Sequence, residues 1–139
     1  MILDQTAALQ AALAGEHAAL YAVSVAGGHL HGSGFSAAEQ LYAEHRQRRD
    51  TLTSLISAAG ETPVAAEPAY DLPSAVTTAA GASALVRLVE QRLAAVYADL
   101  VEAATDTRIR TFAVQCLVAV ARDQSVWGAA PTAFPGAVS

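Results

Sequence analysis

Every proline of this chain falls in one of two short stretches: Pro63, Pro68 and Pro73 in the middle, and Pro131 and Pro135 near the end. Proline lacks an amide donor and clashes with the preceding turn, so it marks where helices stop. Two long segments, 1–62 and 74–130, are free of it, and each is subdivided by glycine or capping residues. What lies between favours helix. Alanine, the best helix former and a poor strand former, occurs 34 times among 139 residues, and lysine and asparagine are absent. The expected class is all-α, one domain over residues 1–139.

The punctuation predicts four helices. The first runs from residue 5 to about 30, and Gly32-Ser33-Gly34 breaks it. Ser36-Ala37-Ala38-Glu39 reads as a capping box opening a second helix that ends at Ala59, with Gly60 in the C′ position. A non-helical connection spans 61–76. Thr77 or Thr78 caps a third helix to about Ala104, and Thr105-Asp106-Thr107 caps a fourth to about Trp127. Residues 128–139 form an irregular tail whose Phe134 is expected to dock on the bundle. The outer two connections are short, so each flanking pair reads as an antiparallel hairpin. A helix of about 24 residues is about 36 Å long, whereas some 17 extended residues reach roughly 55 Å. The middle connection is therefore long enough to cross the whole bundle and leave helices 2 and 3 parallel. A plain up-down-up-down bundle with an overlong loop is the alternative.

Apolar stripes of 3–4 spacing run along each helix, and each is interrupted by an ionisable residue. On helix 1, Glu16 sits in Leu9, Leu13, Leu20, Val23, Gly27, Leu30. On helix 2, His45 and Arg49 sit in Ala38, Tyr42, Leu52, Ile56, Ala59. Glu90 interrupts Val86, Leu93, Tyr97 on helix 3, and Asp123 interrupts Ile109, Cys116, Val120, Trp127 on helix 4. At 1.5 Å per residue these groups lie at similar heights. Burying an unpaired carboxylate costs several kcal/mol, so their convergence demands a metal, an arginine or shared protons. In the metal-bound version, iron or manganese is held by Glu16, His45, Glu90 and Asp123, a donor set that suits those ions. In the metal-free version, Arg49 neutralises the carboxylates while Tyr42 and Tyr97 donate to their remaining oxygens.

The hairpin-crossover-hairpin plan with inward Glu16, His45 and Glu90 resembles the ferritin-like di-metal carboxylate bundles. The strings Ala11-Ala12-Leu13-Ala14-Gly15-Glu16-His17-Ala18-Ala19-Leu20-Tyr21, His45-Arg46-Gln47-Arg48-Arg49-Asp50 and Ala69-Tyr70-Asp71-Leu72-Pro73 are similar to a bacterial family of ferritin-like domains without an assigned function. The resemblance implies a ferritin-like antiparallel four-helix bundle. It also exposes departures. A di-iron site takes one glutamate from each of two helices and a Glu-x-x-His pair from each of the other two. Here helix 2 offers Tyr42-x-x-His45 and helix 4 offers Val120-x-x-Asp123. The expected role is thus a non-catalytic scaffold whose former di-metal site is a polar core, with no cofactor. An iron- or manganese-binding protein of weak redox or storage activity is the alternative.

The remaining features narrow the partners. The formal net charge of -5 repels nucleic acid and anionic membrane. Arg46, Arg48 and Arg49 lack interleaved aromatics and read as salt-bridge partners rather than a phosphate site. His29 and His31 at the end of helix 1 suit its dipole, and His17 points away from Glu16. Cys116, the single cysteine, reads as inert packing in a reducing cytoplasm, and Met1-Ile2-Leu3-Asp4 does not open a signal peptide. Val23, Val25, Ala26 and Leu30 spread beyond one stripe, which points to self-association as a homodimer.

Overall fold

The computed structural model describes residues 3–73 and 75–128. They form four helices, α1 (Gln5–Gly27), α2 (Gly32–Ala58), α3 (Ala79–Ala103) and α4 (Thr107–Val126). Asp4, Thr78 and Asp106 cap α1, α3 and α4, each accepting from an amide of the first turn. At the end of α2, Gly60 takes φ +83°. Its amide donates to the Ser57 carbonyl, and that of Glu61 donates to Ile56. This is the paired closure that a left-handed glycine permits. The tail, including Phe134, lies outside the described residues.

The start of α2 differs from the sequence reading. The helix opens at Gly32 rather than at the Ser36–Glu39 capping box, which lies inside it. His31 is extended, and Gly32 at φ +56° turns the chain. The amides of Gly34 and Phe35 then donate to the His31 carbonyl, completing a first turn without help from a serine side chain. A signature based on side chains is overridden where glycine lets the backbone turn earlier.

Three helix pairs pack closely: α1 on α2, α1 on α3, and α3 on α4. Gln5, at the start of α1, accepts from the amides of Thr105 and Asp106 beyond the end of α3, so α1 and α3 are antiparallel. With α1 and α2 antiparallel through the turn at 28–31, α2 and α3 run parallel. The connection between them climbs the length of α1. Gln10 donates to the Thr62 carbonyl and accepts from the Val64 amide. His17 donates to the Val64 carbonyl at 3.0 Å. Tyr70 packs on Tyr21 with ring centroids 5.8 Å apart, and Val76 reaches the far end of the core. The expected crossover between two hairpins is the observed path.

The core has two apolar parts. One holds Leu9, Leu13, Leu52, Ile56, Leu93 and Tyr97 with the inner face of α4. The other holds Val23, Ala26, Leu30, Leu41, Ala82 and Val86. On α2 the division falls at His45 and on α3 at Glu90. Of the four residues that pointed to self-association, Val23, Ala26 and Leu30 are therefore interior residues of one chain, and Val25 is half-buried. Among the described residues, no helix is long and apolar enough to cross a membrane.

Candidate functional site

Between the two apolar parts lies a layer of charge. Glu16 from α1, His45 from α2 and Glu90 from α3 are each 0% exposed, and Arg48 from α2 is 9% exposed. His45 sits between the two carboxylates. Its Nδ1 donates to Glu16 Oε2 at 2.9 Å and its Nε2 donates to Glu90 Oε1 at 2.5 Å. Only the protonated imidazole carries two N–H donors. Burial works against that charge. The hydrogen bonds to Glu16 and Glu90, together with their negative charge, outweigh burial and hold the His45 pKa at about 9. Arg48 donates from Nε to Glu16 Oε1 at 3.4 Å. Its Nη2 lies 3.1 Å from His45 Nδ1, an approach of two cations held by the same carboxylate. The layer thus sets two acids against two bases, the balance that makes buried charge tolerable.

This arrangement corrects two residues of the expected site. Arg49 turns outward and pairs with Asp50 at 2.9 Å, while Arg48 takes the inward place. Tyr42 is exposed, and Leu41 is buried instead. Both errors are the same rotation by one position. Residues three and four apart are equally neighbours on a helix, and the buried stripe reads Ala38, Leu41, His45, Arg48, Leu52, Ile56. Tyr97 is fully buried as expected, but its hydroxyl reaches neither carboxylate and has no hydrogen-bond partner among the described residues; the Cys116 thiol is its polar neighbour. Burial pushes that thiol up to about 12, so Cys116 is unreactive packing.

Asp123 stands apart from the quartet. It is half-buried on α4, and burial, followed by the charges of Glu44 and Glu90, pushes its pKa up to about 7. Two carboxylate oxygens here, Glu90 Oε2 and Asp123 Oδ2, are buried without partners among the described residues. Glu44 and the inward role of Arg48 escaped the sequence reading. Their only signal was that Glu44 precedes Arg48 by one turn on the face of α2 next to the buried stripe.

The four residues expected to ligate iron or manganese are not arranged around an ion in this geometry: a metal needs an imidazole lone pair, and both His45 nitrogens face carboxylates instead. The Arg48 guanidinium beside Glu16 would face the dication. Among the described residues, no three His, Cys, Asp or Glu side chains are grouped to hold a metal.

Comparison with known proteins gives a family and a fold. The family model described as a domain of unknown function, DUF4439, matches residues 8–139. The chain is also similar to the crystal structure of a conserved hypothetical protein from Mycobacterium tuberculosis. The two share 32% identity over 88% of this chain and 93% of that one, with a TM-score of 0.87. No curated protein matches it.

Proposed function

The chain belongs to the DUF4439 family, and we propose that it is a ferritin-like, non-catalytic scaffold in which a charge quartet stands where related bundles hold metal. The observation that carries this reading is His45, buried between Glu16 and Glu90 with each ring nitrogen donating to one of them. Two cations, His45 and Arg48, supply the positive charge that an ion would otherwise bring. The crossover between two hairpins supports the ferritin-like ancestry.

An iron- or manganese-binding role is the second reading, and it draws on the unpartnered Glu90 Oε2 and Asp123 Oδ2. Metal analysis of untagged protein, with thermal melts in added manganese or ferrous iron, separates the two. The scaffold reading expects no stoichiometric metal and no shift in Tm. A Tm that climbs with the logarithm of ion concentration, and loses that response in Glu16→Ala, would establish the metal reading instead.

A further inference from the structure

Among the described residues, α2 and α4 do not pack closely on one another, and the fourth side of the bundle between them forms a cleft of about 440 Å³. Its lining includes two acids, Glu44 and Asp123, and two bases, Arg48 and Arg122. Opposite charges share one cleft without neutralising each other. Among the described residues, Arg48 forms its ion pair with Glu16, beneath the cleft, and Glu44, Asp123 and Arg122 form none. Two of these groups are also incompletely bonded. Arg48 is nine-tenths buried and its Nη1 makes no hydrogen bond among the described residues. Asp123 Oδ2 is buried without a partner among those residues.

The order of these groups along the cleft is set by the helices. Glu44 on α2 and Asp123 on α4 both line the cleft, one from each wall. Arg48 follows Glu44 by one turn of α2, about 6 Å along the axis. In the other direction the walls become apolar, with Leu41, Val126 and Trp127. A simple anion would meet Glu44 and Asp123, and a metal ion would meet two guanidinium groups. A small molecule carrying both charges a few ångströms apart, with an apolar body, meets a partner at every point. The volume lies within the usual range for small-ligand pockets, about 300–1,000 Å³.

We propose that this cleft binds an α-amino acid with an apolar side chain, its ammonium on Glu44 and Asp123, its carboxylate on Arg48 and its side chain against Leu41 and Trp127. This goes beyond the scaffold reading, which concerns the buried quartet and is tested by metal content and melting. Trp127 is the single tryptophan of the chain and lines the cleft, so it serves as a built-in reporter. The test titrates the full chain at neutral pH with L-leucine, followed by tryptophan emission and by calorimetry. Isoamylamine, which lacks the carboxylate, and 4-methylpentanoate, which lacks the ammonium, are the controls. L-leucine is expected to bind saturably, with each single-charge analogue at least tenfold weaker. Glu44→Gln, a substitution outside the quartet and checked for folding by circular dichroism, is expected to weaken L-leucine at least tenfold. Absence of both heat and emission change up to about 10 mM L-leucine would overturn the proposal. Equal binding of either analogue, or unchanged affinity in a folded Glu44→Gln protein, would overturn it too.

Discussion

Between pH 6.5 and about 9 the protein is expected to lose stability through one side chain, His45. In the unfolded chain this imidazole titrates at its ordinary 6.5, and in the bundle at about 9, because the carboxylates of Glu16 and Glu90 accept from both of its nitrogens and overcome its burial. Below pH 6.5 both states hold the proton and the full benefit of the pairing is present. In the window between, the folded state keeps a proton that the unfolded chain has released, so stability falls as pH rises, and above about 9 the benefit is gone. At about 1.36 kcal/mol per pH unit, the loss across the window is roughly 3 kcal/mol. That is a large share of a typical stability of about 5–15 kcal/mol. Asp123 acts with the same sign in a lower window, from its ordinary 3.8 to about 7. Urea unfolding at pH 6.5, 8 and 9, at fixed ionic strength, measures the effect against His45→Gln, which lacks the titrating group. The wild type should lose stability more steeply than the variant. Parallel curves would mean that His45 is neutral in the bundle and that the charge quartet is misassigned.

Four further substitutions test the packing around that layer and the crossover connection. Arg48→Ala leaves Glu16 and Glu90 with one cation for two carboxylates and is expected to cost about 3–5 kcal/mol in urea unfolding. Arg49→Ala, which removes an outward pair with an exposed Asp50, should stay within about 0.5 kcal/mol; equal losses would refute the orientation of α2. Tyr97→Phe deletes a buried hydroxyl without a partner, so Tm should hold or rise, and a fall of several degrees would reveal a hydrogen bond that the structure lacks. Gln10→Ala removes both bonds that pin Thr62 and Val64 to α1 and should cost about 1–2 kcal/mol, with faster amide exchange confined to the connection between α2 and α3. Uniform exchange would mean that the crossover is held elsewhere.

Much of this fold was legible in the residues because its signals are local. The proline-rich connection, Gly60, Thr78 and Asp106 each act within a few residues of themselves, and they do in the structure what their chemistry requires. Glu16, His45 and Glu90 were legible for a related reason: a charge in the middle of an apolar stripe has few places to go except into a paired core. What the sequence left open was rotation. An arginine follows His45 by three residues and another by four, and both positions share its face. Only the packing of α2 on α1 decides that Arg48 points in and Arg49 points out. The same rotation decides between Leu41 and Tyr42. The cleft was illegible for a stronger reason: it is the space left by two helices distant in sequence that do not pack, and no periodicity within either one encodes a gap between them.

The quartet also answers a problem posed by composition. Alanine-rich helices present shallow surfaces, so ridges and grooves fix their relative heights weakly. A slip of α2 along α1 by one turn is about 5.4 Å, a distance over which alanine faces still match tolerably. The same slip carries His45 away from both Glu16 and Glu90 and Arg48 away from its present bond to Glu16, undoing the pairing of the layer. Replacing such a group by apolar residues of similar volume is often neutral or stabilising, so net stability is a weak reason to keep it. Register is a better one, because the energetic penalty falls on the misaligned states. Glu16, His45 and Glu90 lie on three different helices, and a single imidazole with two donors aligns all three at one height. On this argument His45→Leu paired with Glu16→Gln and Glu90→Gln yields a bundle that stays helical but loses sharp unfolding and amide-exchange protection near Ala19 and Leu93. A triple variant that unfolds as cooperatively as the wild type would show that alanine packing sets the register unaided.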